Sequence, residues 1–165
     1  MKKTLTFLTF ILIARHQSVF SQQSAPTIPV KQQTIVIPLP NGQSDTLLLD
    51  DGDQDKTFTR VENPPYYLGG DSAWTAALKR VFGANRSILK RDGENSIGTC
   101  ELQFIVTYDG SVVDVAAITM KDSRLAKILI DFIKTGPKWH PAVQNKYAVK
   151  AYHRIKVDYP EPIAE

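Results

Sequence analysis

The chain has 165 residues, 20 Lys and Arg against 17 Asp and Glu, and a formal net charge of +3. With basic and acidic side chains spread along the length, nucleic acid is not the implied partner. The single cysteine, Cys100, excludes an internal disulfide framework, so stability has to come from packing, and the length provides for one domain with a core rather than two.

Lys2 and Lys3 precede an apolar run over residues 4–14, and Val19-Phe20-Ser21 follows as a small-residue cleavage pattern. As a helix the run covers roughly 16 Å, about half of a ~30 Å hydrocarbon core. Residues 1–21 are therefore expected to be a secretory signal peptide that targets rather than anchors. The alternative is an uncleaved amino terminus kept in the inner membrane. No cysteine follows the run, which excludes a lipoprotein anchor.

Residues 22–57 are rich in Gln, Ser, Pro and Asp and read as a linker, partly ordered at most. Two apolar islands, 34–39 and 46–49, flank the turn signal Pro38-Leu39-Pro40-Asn41-Gly42 and either pair as a hairpin or stay loose. A flexible coil of this length reaches roughly 35 Å. Asp51, Asp53, Asp55 and Glu62 stand at calcium-loop spacing, but Lys56 occupies the position that needs glycine, and the run reads as a solvated acidic turn without a metal.

The folded domain is expected over 58–159. Trp74, Ala77, Leu78, Val81 and Phe82 recur at helical spacing and predict a helix over 72–82, with Asp71 or Ser72 as its cap and Gly83 as its stop. Cys100, Leu102, Phe104, Val106 and Tyr108 alternate with Glu101, Gln103, Ile105 and Thr107 and predict a strand over 99–108 with Cys100 buried. Asp109-Gly110 predicts a type I′ turn into a second strand over 112–120.

Asp122-Ser123 opens a second helix, in which Leu125, Ile128, Leu129, Phe132 and Ile133 share one face, and Gly136-Pro137 closes it. A last strand over 149–159 places Val149, Ala151, His153, Ile155, Val157 and Tyr159 on one face and Lys150, Tyr152, Arg154 and Lys156 on the other. Pro160 and Pro162 end the ladder, and 160–165 reads as a polar tail.

The expected fold class is α+β, a two-layer sandwich of two helices packed on a small three-stranded antiparallel sheet in the order α-β-β-α-β. The last strand is expected at a sheet edge, and an exposed edge is either protected or used. Trp139 and His140 fall in a loop, where the Trp covers the rim of the core, and His153 reads as a structural histidine. No Gly-x-Ser-x-Gly, His-x-x-x-His, Cys-x-x-Cys or phosphate-loop pattern occurs, so neither a catalytic group nor a cofactor is expected, and the chain is not read as an enzyme.

Val61-Glu62-Asn63-Pro64-Pro65, Leu68-Gly69-Gly70, Asp109-Gly110 with its flanking strands, Lys138-Trp139-His140-Pro141-Ala142 and Gln144-Asn145 follow one another in an order that resembles the TonB C-terminal domain family, in its short Bacteroidetes-type form. The resemblance covers nearly all of the expected domain. It implies that an extended segment of a protein partner, the periplasmic part of an outer-membrane receptor, adds to the edge of the last strand in energy-coupled transport. The carried-over contact residues are Val149, Lys150, Ala151, Tyr152, His153, Arg154 and Ile155. The family pattern has a glycine after Asn145, where this chain has Lys146.

With the signal peptide, the resemblance places the protein in the periplasm or on the periplasmic side of the outer membrane. Three further expectations stand beside this one: a membrane-anchored short energy transducer, a secreted interaction or small-ligand protein, and a homodimer through the same edge.

Overall fold

The computed structural model describes residues 33–49 and 56–160, all within one compact unit, Lys31–Glu165. The signal-peptide reading, the aspartates at 51, 53 and 55, and the tail beyond Pro160 lie outside the described residues.

The two apolar islands form strands β1 (Gln33–Pro38) and β2 (Ser44–Leu49), paired antiparallel from Gln33↔Leu49 to Pro38↔Ser44. Their turn is closed by the Leu39 amide donating to the Gln43 carbonyl at 2.8 Å. Two short strands follow, β3 (Thr57–Phe58) and β4 (Tyr66–Tyr67).

Helix α1 (Gly70–Ala84) buries Ala77, Leu78 and Phe82. Its start is set by Gly69, which has φ +91°, and a β-carbon there would lie 2.7 Å from Cβ of Ala73. Neither Asp71 nor Ser72 is the cap, and Gly83 lies inside the helix rather than ending it. Asn85 ends it, its backbone amide donating to the Val81 carbonyl at 3.1 Å and its side-chain amide at 2.9 Å. A second short helix, α2 (Arg86–Asp92), follows and buries Leu89. A 3-10 turn (Gly93–Ser96) then leads into the central hairpin.

That hairpin is β5 (Gly98–Val106) and β6 (Val112–Ala117). Cys100, Leu102, Phe104 and Val106 are buried, as the alternation predicts. The turn differs from the predicted type I′: Gly110 has φ +81°, whereas Asp109 is not left-handed. The Gly110 amide donates to the Thr107 carbonyl at 2.9 Å, so a type I turn closed by a left-handed glycine joins the strands.

Helix α3 (Arg124–Thr135) is capped by Ser123, whose Oγ accepts from the Ala126 amide at 3.0 Å. It buries Leu125, Ala126, Leu129 and Ile133 against β5 and β6. Each fully buried leucine on this face contributes about 1.5–3 kcal/mol. Three strands follow, β7 (Trp139–His140), β8 (Ala142–Gln144) and the long β9 (Tyr147–Tyr159).

The expected small three-stranded antiparallel sheet is overturned. The described residues form a mixed seven-stranded sheet, ordered β1-β2-β9-β5-β6 with β3 and β8 also on β9, and a separate two-stranded pair of β4 and β7. β9 runs antiparallel to β5 and β8 but parallel to β2 and β3. The sheet is larger than expected because the first hairpin, from the stretch read as linker, docks on the start of β9 and because β3 and β8 add to it; strands of two or three residues carry no period to read in sequence. The third helix, α2, also enlarges the expected pair.

Candidate functional site

β9 is thirteen residues long, and its neighbours do not cover it evenly. Ala151 pairs with both Val106 of β5 and Phe58 of β3, so these strands lie on opposite flanks. Tyr147 and Ala148 pair with both β8 and β2, which are likewise opposed. With β2 and β5 on opposite sides, β8 and β5 fill one flank of β9 and β2 and β3 cover only the start of the other. Beyond Ala151 the second flank has no strand partner among the described residues, as far as Tyr159. A strand flank of this kind presents unpaired backbone donors and acceptors in a row.

Beside the open flank lies a cleft of about 290 Å³. β4 contributes Tyr66 and Tyr67, the first turns of α1 contribute Asp71 and Trp74, β7 contributes Trp139, and β9 itself contributes His153, Ile155 and Lys156. The rings are fixed by mutual edge contacts. Tyr67 meets Trp74 at 5.3 Å and Trp139 at 5.5 Å between centroids, and Trp139 meets Phe104 at 5.1 Å and His153 at 5.4 Å. Edge-to-face pairs of this kind add about 0.5–1.5 kcal/mol beyond burial. Burial lowers the His153 pKa, favouring the neutral imidazole.

The far wall is tied to the first hairpin. The Nε2 of His140 lies 2.9 Å from Oδ2 of Asp45, its Nδ1 lies 2.9 Å from the Pro141 carbonyl, and its ring stacks on Tyr66 at 4.4 Å. Tyr66 is held as a phenol, its pKa raised by burial and by the Asp45 carboxylate.

The seven carried-over contact residues divide into two groups. Val149 pairs with Ala142, Lys150 with Thr57, and Ala151 with Phe58, so these three are engaged by the chain's own strands. Tyr152, His153, Arg154 and Ile155 pair with β5 on one side and face the open flank on the other. His153 and Ile155 line the cleft, whereas exposed Arg154 is on the other face, its Nε donating to Gln103 Oε1 at 2.8 Å.

The reading along the sequence missed Tyr66, Tyr67, Asp71 and Trp74 as site residues. The available signal was an aromatic pair between Pro64-Pro65 and Gly69-Gly70 that no predicted element absorbed. Trp139 and His140 lie in strand β7 rather than in a loop, and Trp139 is buried in the aromatic cluster.

The remaining polar constellations are structural. Glu62 accepts from the Asn145 amide at 3.1 Å and from Gln144 Nε2 at 3.2 Å, closing the turn between β8 and β9. Cys100 is fully buried, and burial pushes its thiol pKa up. Among the described residues no group of three or more His, Cys, Asp or Glu side chains is placed to hold a metal ion, and no helix is long and apolar enough to cross a membrane. No protein-family model, curated protein or solved structure matches the chain.

Proposed function

We propose that this protein is an exported, TonB-like protein-binding module that receives an extended segment of its partner as an added strand on the open flank of β9. The partner is the periplasmic segment of an outer-membrane receptor, and the process is energy-coupled transport. One observation carries the reading: the second half of β9 has an unpaired flank among the described residues, and a cleft lies directly beside it. Backbone groups along such a flank bind an extended peptide with little demand on its sequence, while an adjacent pocket reads alternate side chains. Arg154 and Lys156 on this strand also discourage aggregation, a role compatible with a flank that has to stay free until its partner arrives.

The test is an NMR titration of the protein with extended peptides from the host's outer-membrane receptors. Amide shifts concentrated over residues 152–159 support strand addition, and their absence with every peptide rejects it. Sedimentation across a concentration series addresses the competing use of the flank. A dimer whose formation silences the same amides assigns it to a second copy of the chain.

A further inference from the structure

We infer that the cleft beside β9 is a side-chain pocket that selects an aromatic residue in the incoming strand. This inference rests on the strand-addition reading and names the chemistry it recognises. His153 and Ile155 lie on one face of β9 and both line the cleft, so a strand added along this flank projects alternate side chains into it.

Size, wall chemistry and charge define the occupant. About 290 Å³ falls just under the roughly 300–1,000 Å³ of small-molecule sites and suits one large side chain. Tyr67, Trp74 and Trp139 already contact one another edge to face or tilted at 5.3–5.6 Å, and one more ring extends that lattice where an aliphatic chain does not. Asp71 and Lys156 both line the site and oppose each other in charge, so it offers no net attraction to a cation or an anion. The stacked face of Tyr66 is occupied by His140, which further disfavours a cation cage.

Two seven-residue peptides of alternating Thr and Val, identical except for Tyr or Ala at the centre, are titrated into the full chain. Backbone amides of residues 152–159 report strand addition. The chain's two tryptophans, Trp74 and Trp139, both line the cleft, so their emission reports its occupancy.

The Tyr peptide is expected to bind about tenfold more tightly than the Ala peptide and alone to change the tryptophan emission. In Tyr67→Leu, and in Trp74→Leu as a second variant checked for folding by circular dichroism, the preference is expected to fall below about twofold while the edge shifts persist. Equal binding of both peptides with edge shifts present overturns the pocket and leaves strand addition standing. Absence of edge shifts with either peptide overturns both.

Discussion

The backbone amide of Trp139 donates to the carbonyl of Gly110 at 2.8 Å, and a β-carbon on Gly110 would lie 2.1 Å from the Trp139 carbonyl oxygen. The hairpin turn and the strand carrying the central tryptophan are therefore in backbone contact, with no room for a side chain between them. Gly110→Ala combines this clash with an alanine at φ +81°. The expected loss is about 3–5 kcal/mol, read as a lower urea midpoint.

The same turn carries an acid-sensitive contact. Burial pushes the Asp109 carboxyl up, but hydrogen bonds from Lys138, Thr107 and Ser111 outweigh it and hold the group well below the usual carboxylate range. A carboxylate depressed in the folded state contributes stability that is complete above its unfolded pKa of about 3.9 and is lost as pH falls towards the folded value. Asp109→Asn is expected to lower stability at pH 7 and to flatten its decline below about pH 4. Urea midpoints taken between about pH 2 and pH 7 check both expectations.

Asn145 and Lys146 both have positive φ, at 51° and 72°, in the turn between β8 and β9. A lysine in this conformation costs about 1–2 kcal/mol, whereas glycine raises chain entropy in the unfolded state by about 0.4–1 kcal/mol. Lys146→Gly is therefore expected to stabilise the protein by about 0.5 kcal/mol, visible as a small rise in Tm.

Asp45 joins the first hairpin to the cleft wall through His140. Asp45→Ala leaves a buried ring nitrogen facing no acceptor, at a cost of about 1–3 kcal/mol. The loss is expected to be local. Hydrogen exchange should accelerate in β1, β2 and β4 and change little in β5 and α3, and a uniform acceleration would contradict this division.

The parts of the fold legible in the sequence are those in which periodicity is long enough to register. Leu125, Leu129 and Ile133 mark α3 through three turns, and Cys100 to Val106 mark β5 through repeated alternation. The two-residue strands β3, β4 and β7 repeat nothing. Apolar islands are visible around Ile35 and Leu48, but their docking is decided by Tyr147 and Ala148, about one hundred residues further on. Asp-Gly is compatible with either kind of tight turn, and the one formed here, with Gly110 alone left-handed, is held by Thr107 and Ser111 donating to the Asp109 carboxylate.

The candidate site follows the same division. Tyr152 to Ile155, which the resemblance names, pair with β5 and have no strand partner on their other flank among the described residues. Val149 to Ala151, which the resemblance names with them, pair with β3 and β8, and the pairing partners of such short strands leave no mark in sequence. The cleft leaves no pattern in the sequence because Tyr67, Trp74, Trp139 and His153 come from four separate elements and meet only in space.

β9 is translated after every strand it pairs with: β2, β3, β5 and β8 all leave the ribosome before it. The sheet cannot assemble progressively as the chain grows, because the element that joins its halves arrives after the others. A nascent chain stalled before Tyr147 should hold the β5–β6 hairpin and its helices while leaving the first hairpin undocked, so protease resistance of residues 33–49 would appear only after β9 emerges.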